Sequence, residues 1–313
     1  MSEINTLIFR ELIKRGYSLE GKTRIWNIAD SKLWYLTPEQ AQAFLDLEQS
    51  ADYQRDVIQK EIDLIDESMT EIIEKFKKTP MNIIDLGCGD GKKAVLFIKP
   101  LKGKVKLRYC PIDISNYMIE KALEKVKKMN VGEVVESQWN VSDFENLENV
   151  SDLLRSGEFK NNFFLLLGNT LGNFEINELL YVIRNSMHRG DYLLIGNGLD
   201  NRHQEQILKA YDNPFLDDLL VRTLTQIGIK KEEVVYGTRF KNSRIEMYYT
   251  LLKDVKLSFI DKAVYLNKGD QIIVALSYKY NKNDFRKFMK MYFPEVKVFS
   301  TKDDSYALAL CKL

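Results

Sequence analysis

The chain has 313 residues and a net charge of +1, with 46 Lys and Arg against 45 Asp and Glu. This balance gives no argument for a nucleic-acid partner bound through bulk charge. Three scattered cysteines and two histidines argue against a disulfide framework or a metal site, and no apolar run is long enough to span a bilayer. Since the N-terminus also lacks signal-peptide features, these observations predict a cytoplasmic protein without a membrane partner.

The first part of the chain shows helical patterns. Apolar residues at helical spacing predict a helix over 2–15, which ends near Gly16. Thr37-Pro38-Glu39-Gln40 is a typical helix start. A further helix is predicted from about 52 to 78. Aromatic residues cluster between 26 and 35, and core packing is the simpler interpretation of that cluster.

From residue 82 onwards strands alternate with helices. The predicted strands are 82–86, about 105–112, 133–138, 163–167 and 192–196. Continuous apolar strands separated by helices indicate a parallel sheet that is covered on both faces. Because crossover connections are right-handed, a ligand crevice is expected at the carboxyl ends of these strands.

The alternation stops near residue 200. Residues 203–228 are predicted to be helical, and strands are predicted at 233–240, 243–252, 255–260 and 270–280. The chain then gives an amphipathic helix over 281–292 and a hairpin built from 296–299 and 306–310. The pattern predicts a doubly wound α/β sheet with a C-terminal antiparallel hairpin, and a second α+β domain inserted after the fifth strand.

A glycine-rich turn follows the first strand of the sheet. Asp85 precedes a G-x-G-x-G run formed by Gly87, Gly89 and Gly91, and a helical segment follows. Glycines at such a turn allow a ligand to approach the backbone closely. A tight strand–helix turn that binds nothing is the alternative. The spacing resembles motif I of the S-adenosylmethionine (SAM) methyltransferases, and Cys88 fits the turn as a small residue rather than as a nucleophile.

Acidic residues follow the next two strands. Asp113 ends the second strand, where a carboxylate can accept both ribose hydroxyls of a nucleoside. Ser115 is the more natural cap of the next helix. After the third strand, Asp143 could accept the adenine amino group, and Phe144 could cover the adenine ring. A loop acid and a core phenylalanine are the alternative for this pair.

The segment 168–174, Gly-Asn-Thr-Leu-Gly-Asn-Phe, follows the fourth strand. Gly168 permits close approach, and the carboxamide of Asn173 can both donate and accept a hydrogen bond. Such a group can hold an amine with its lone pair directed at a methyl group. The alternative is that Asn173 caps the following helix.

These motifs resemble the histidine N-alpha-methyltransferase family of ergothioneine biosynthesis, whose wider superfamily includes fungal amino-acid N-methyltransferases. The likeness runs from about residue 26 to the C-terminus. It is carried by 168–173, with Asp143-Phe144, Ala210-Tyr211-Asp212, Arg244-Ile245-Glu246-Met247 and Ser277-Tyr278-Lys279-Tyr280. The resemblance implies SAM contacts from Gly87, Gly89, Lys93, Asp113, Asp143 and Phe144. It implies substrate contacts from Tyr53, Gly168, Asn173, Tyr211, Met247 and Ser277, with Asn173 at the amino end of the substrate.

One departure concerns the substrate. The histidine enzymes have Glu-x-Ser where this chain has Ala275-Leu276-Ser277, so histidine specificity does not carry over with the chemistry. The resemblance therefore implies a SAM-dependent methyltransferase of an amino-acid α-amino group, with another small-molecule amine or hydroxyl, or a non-catalytic SAM-binding protein, as alternatives. It implies a SAM-binding domain over 57–199 and 281–313 and a substrate-binding lid domain over 1–56 and 200–280.

Overall fold

A computed structural model describes residues 3–76, 79–142, 144–200, 204–259 and 262–313. The chain forms two compact units. One unit comprises Met1–Ser50 and Arg202–Tyr278, and the other comprises Ala51–Asn201 and Lys279–Leu313.

Helices and strands both occur throughout the chain. The helices are α1 (Glu3–Arg15), α2 (Pro38–Gln49), α3 (Ala51–Tyr53), α4 (Gln59–Glu74), α5 (Lys92–Leu101), α6 (Asn116–Lys127), α7 (Leu147–Leu154), α8 (Ile176–Asn185), α9 (Gln204–Tyr211), α10 (Pro214–Thr225) and α11 (Lys282–Tyr292). The strands are β1 (Tyr17–Glu20), β2 (Thr23–Asn27), β3 (Met81–Leu86), β4 (Leu107–Ile112), β5 (Gly132–Val134), β6 (Asn161–Leu166), β7 (Tyr192–Gly198), β8 (Val234–Lys241), β9 (Arg244–Leu251), β10 (Val255–Phe259), β11 (Lys262–Leu266), β12 (Gln271–Tyr278), β13 (Glu295–Ser300) and β14 (Tyr306–Lys312).

The larger unit is built on a seven-stranded sheet in the order β13-β14-β7-β6-β3-β4-β5. Strands β3 to β7 are parallel, whereas β14 runs antiparallel to β7 and β13 antiparallel to β14. The predicted α/β class and C-terminal hairpin are therefore confirmed. Since β3 pairs with β4 on one side and β6 on the other, the strand order reverses at β3, and ligands bind at such switch points.

Apolar strands and helices explain why this sheet forms. Every residue of β3 and β4 is buried, as expected for parallel strands covered on both faces. On one face, the ring of Phe163 lies 4.5 Å from that of Phe76 and 5.7 Å from that of Phe97, measured between ring centroids. These contacts join β6 to α5 and to the segment after α4.

The other unit contains a five-stranded sheet in the order β1-β2-β12-β9-β8 and a separate β10–β11 hairpin. Within that sheet β2 pairs in parallel with β12, and β12 pairs antiparallel with β9. The sequence analysis did not predict β1, β2 or β11. Strand β1 is exposed along its whole length, so it lacks the buried alternation on which strand prediction depends.

Two predicted elements differ from the structure. The third strand of the larger sheet covers only Gly132–Val134, and a 3₁₀ turn at Gln138–Asn140 replaces its predicted end. The predicted helix over 52–78 instead passes through a π-helical turn at Gln54–Ile58 before α4. Residues 51–56 therefore continue into α4 and belong to the larger unit.

We expect Phe163→Ala to lower the free energy of unfolding by about 3–5 kcal/mol, because it removes a fully buried ring and leaves a cavity. Urea denaturation followed by circular dichroism measures this change. Tyr181→Ala on α8, where the side chain is exposed, is the control and should change the free energy by less than about 0.5 kcal/mol. Equal losses in both variants would contradict this account of the core.

Candidate active site

The glycine-rich turn that follows β3 is hydrogen-bonded to the end of β4. The N–H groups of Gly87 and Cys88 donate to the carbonyl oxygen of Ile112 at 2.8 and 3.2 Å. Gly89 has a φ of +49°, and a side chain added there would meet no atom within 4 Å. The turn therefore has free space in front of Gly89, where a ligand could approach the backbone. Burial raises the pKa of the Cys88 thiol well above its usual range, which argues against a nucleophilic role.

Asp113 is fixed against this turn. Its Oδ2 accepts a hydrogen bond from the Gly89 N–H at 3.1 Å, and its Oδ1 accepts one from the Ser115 N–H at 3.0 Å. Ser115, and not Asp113, occupies the N-cap position of α6. Burial raises the pKa of Asp113 to about 6. Each carboxylate oxygen still has capacity for a second donor, as the two hydroxyls of a ribose would supply.

Asp85 is the second buried acid of this region. Its Oδ2 accepts a hydrogen bond from the Tyr109 hydroxyl on β4 at 2.8 Å. Burial raises the pKa of Asp85 to about 7, although the Tyr109 hydrogen bond and the charge of Lys93 act in the opposite direction.

The predicted adenine-binding pair is only partly described. Asp143 lies outside the described residues. The preceding Ser142 donates its N–H to the carbonyl oxygen of Asp113 at 2.9 Å, so this segment runs beside the end of β4. Phe144 is buried, and its ring centroid lies 5.9 Å from that of Phe174. Its φ of +75° is unfavourable for a residue with a side chain.

Gly168 follows β6 and is surrounded by polar groups from three elements. Its N–H donates to Oε1 of Glu61 on α4 at 2.8 Å, and the Tyr306 hydroxyl on β14 donates to the same oxygen at 2.6 Å. Nζ of Lys93 lies 3.1 Å from Oε2 of Glu61. A Cβ at position 168 would clash with the Lys93 ammonium, and φ is +74°. Gly168 and Lys93 are therefore neighbours, as a shared site requires.

The two asparagines of the segment after β6 have different environments. Oδ1 of Asn169 accepts a hydrogen bond from the Gly198 N–H at 2.5 Å, so this side chain supports the backbone. Asn173 is half-buried at the end of a 3₁₀ turn, and no side-chain hydrogen bond joins it to another described residue. Glu175, and not Asn173, caps α8, because its carboxylate accepts from the N–H groups of Asn177 and Glu178. The alternative interpretation of Asn173 as the helix cap is therefore wrong.

Tyr53 lies at the end of α3, immediately before the π-helical turn. It lies close enough to Tyr306 to contribute to the raised pKa of that tyrosine, which is due mainly to burial.

The remaining predicted substrate residues belong to the smaller unit. The hydroxyl groups of Tyr211 on α9 and Ser277 on β12 lie 2.9 Å apart. The Tyr236 hydroxyl donates to the Tyr211 carbonyl oxygen at 2.9 Å, which fixes the end of α9. Met247 pairs with Ala275 across β9 and β12, and both are buried in the apolar core of this unit.

The sequence analysis did not identify Glu61, the buried acid beside Gly168. The signal was present, because Ile58, Glu61, Ile65, Ser68 and Ile72 follow one another at helical spacing and are all buried. A carboxylate on the apolar face of a helix requires buried partners. Its partners come from distant parts of the chain, so the spacing alone could not name them.

We expect Asp85→Asn to raise the free energy of unfolding relative to the wild-type protein, and this gain should grow as the pH rises. The folded carboxyl has a pKa of about 7, whereas the unfolded one titrates near 4, so ionisation opposes folding progressively between pH 4 and 7. The amide removes this cost and can still accept the Tyr109 hydrogen bond. The gain should be near zero at pH 4 and about 2–4 kcal/mol at pH 8.

Urea denaturation at several pH values checks this expectation. Asp66→Asn, which changes an exposed acid on α4, is the control and should have an effect below about 0.5 kcal/mol at every pH. A gain from Asp85→Asn that does not depend on pH would contradict the assignment.

Three solved structures illustrate the similarity of the chain to known proteins. A SAM-dependent methyltransferase from Clostridium acetobutylicum ATCC 824 shares 15% identity, with 87% of this chain and 98% of that chain covered and a TM-score of 0.46. A protein from Pyrococcus horikoshii OT3 shares 15% identity, with 88% of this chain and 98% of that chain covered and a TM-score of 0.46. Magnesium protoporphyrin IX methyltransferase from Synechocystis PCC 6803 shares 12% identity, with 87% of this chain and 93% of that chain covered and a TM-score of 0.43.

The family assignment comes from the sequence. No curated protein matches the chain. Residues 41–313 match the family described as "Histidine-specific methyltransferase, SAM-dependent". That match covers most of the chain and includes the glycine-rich turn, Asp113, and the segment after β6. The chain belongs to the histidine-specific, SAM-dependent methyltransferase family.

Proposed function

We propose that this methyltransferase transfers the methyl group of SAM to the α-amino group of an amino acid. The family gives the reaction class and the cofactor. The observation that supports an amine acceptor is Asn173, whose half-buried carboxamide has no side-chain hydrogen bond to another described residue. A carboxamide can both donate and accept a hydrogen bond, and a neutral amine suits it as a partner because the amine does the same.

The residues around the glycine-rich turn fit SAM. The space in front of Gly89 admits a ligand to the backbone, and the Asp113 carboxylate beside it can accept ribose hydroxyls. Gly87 and Gly89 would hold the cofactor together with Asp113. Lys93 would face its carboxylate, with Asp143 and Phe144 assigned to the adenine by resemblance. When bound, SAM supplies an electrophilic methyl group on a sulfonium.

The chain itself contributes position and desolvation. We propose that the Oδ1 of Asn173 accepts an N–H of the neutral amine, which directs the nitrogen lone pair at the methyl group. The α-amino group is largely protonated at neutral pH, so it must lose a proton to solvent before its nitrogen can attack the methyl group, and the methylated ammonium that forms can lose its proton to solvent in turn. Orientation of this kind accounts for much of the rate acceleration in two-reactant steps.

Ala275 supports a substrate other than histidine. The alanine stands where the histidine enzymes have a glutamate, and it is fully buried beside Met247 in an apolar core. A methyl group cannot accept the hydrogen bond of an imidazole, and a polar substrate group left unpaired is rejected. We propose that Tyr211, Met247 and Ser277 contact a substrate with a larger or less polar side chain. We also propose that the larger unit binds SAM and that the smaller unit serves as the substrate-binding lid.

A methyl-transfer screen with labelled SAM tests the proposed acceptor. We expect transfer to at least one of the twenty amino acids, with histidine at least about tenfold slower than the best apolar amino acid. The N-acetyl derivative of the best substrate is the control, and it should not react because its nitrogen is acylated. Transfer only to hydroxyl compounds or to other amines would overturn the amino-acid proposal, and SAM binding without turnover would indicate a non-catalytic protein.

We expect Asn173→Ala to lower kcat by about 10²-fold, because the amine loses its orienting group. The affinity for S-adenosylhomocysteine (SAH), measured by calorimetry, should stay within about twofold of wild type, since the substituted side chain faces the acceptor. Asn185→Ala, an exposed asparagine at the far end of α8, is the control and should leave both quantities unchanged. A loss of SAH binding with unchanged kcat would assign Asn173 to the cofactor instead.

A further inference from the structure

The carboxylate of Glu61 connects four separate elements of the larger unit. It is fully buried on α4. Its Oε1 accepts hydrogen bonds from the Gly168 N–H after β6 and from the Tyr306 hydroxyl on β14. Its Oε2 lies 3.1 Å from Nζ of Lys93, at the start of α5, and has no hydrogen-bond partner of good geometry within the described residues.

The charge of this group requires Lys93. A buried carboxylate is costly unless cationic and polar donors surround it. The side chain of Lys93 is only 19% exposed. Its ammonium is held by the Glu61 carboxylate and lies next to Gly168.

The same carboxylate also fixes the start of the segment that carries Asn173. Gly168 has a φ of +74°, and the hydrogen bond from its N–H to Glu61 holds this turn in place. The Asn169 side chain anchors the next residue to Gly198 on β7. One buried acid thus fixes both a lysine beside the glycine-rich turn and the segment after β6.

We propose that Glu61 is a positioning residue for cofactor binding, and that it acts through Lys93. Glu61 does not contact the cofactor in this proposal. It places the Lys93 ammonium so that it faces the carboxylate of SAM, and it holds Gly168 against that ammonium. The inference rests on the proposed role of Lys93 in cofactor binding.

A double-mutant cycle measured by calorimetric titration with SAH tests the proposal. Glu61→Gln keeps the shape of the side chain but loses the charge that holds Lys93, and Lys93→Met removes the ammonium. We expect each single variant to raise the Kd for SAH by about tenfold. The double variant should bind within about twofold of Lys93→Met, because Glu61 has no effect once the lysine is gone.

Asp191→Asn is the matched control. Asp191 is also fully buried, and it accepts from the N–H groups of Asn162 and His188 and from Arg155. It precedes β7 and so lies at the amino ends of the parallel strands, whereas the glycine-rich turn lies at their carboxyl ends. Both Glu61→Gln and Asp191→Asn should lower the Tm, but only Glu61→Gln should weaken SAH binding.

Tyr306→Phe keeps the test decisive if Glu61→Gln does not fold. It removes the hydroxyl that donates to Glu61, and with it a hydrogen bond to the backbone of Asn169, and it should raise the Kd for SAH about threefold. An unchanged Kd in Glu61→Gln or in Tyr306→Phe would overturn the proposal, as would a double variant whose loss is the product of the two single losses. Failure of the wild-type protein to bind SAH would instead overturn the proposed function.

Discussion

The reversal of strand order at β3 is the constraint on which the site depends. Because β4 and β6 lie on opposite sides of β3, their connections leave the sheet in different directions and open a crevice at the strand ends. The glycine-rich turn after β3 then lies between Asp113 and the segment after β6. Contacts from Gly89 to Asp113 and from Lys93 to Gly168 follow from this arrangement.

The buried acids near this crevice are stabilised in two different ways. Asp85 and Asp113 are buried with polar hydrogen-bond donors, so burial raises both pKa values. Glu61 has an ammonium group beside it in addition to its hydrogen bonds. A cationic cofactor would favour the ionised forms of the first two acids. Glu61, by contrast, has its counter-charge from the protein and can serve the site as a fixed support.

We assign the reaction class and the choice of substrate to different parts of the molecule. The reaction class follows from the family, and the residues that we assign to SAM lie in the larger unit. In the proposed function the acceptor is chosen by side chains such as Ala275, where an alanine in place of a carboxylate would change which substrate group can be paired. A single buried substitution can therefore change specificity while the cofactor chemistry is retained.

The sequence by itself determined the order of strands and helices in the larger unit, the C-terminal hairpin, and the strand ends at which Gly87, Gly89, Asp113 and Asn173 lie. These features can be predicted because hydrophobic periodicity and turn residues depend on amino acids that are close together in the sequence. Only the tertiary structure decided the partners of Glu61 and the parallel pairing of β2 with β12. Both join residues that are far apart in the chain, and a buried polar group has no local pattern that names its partner.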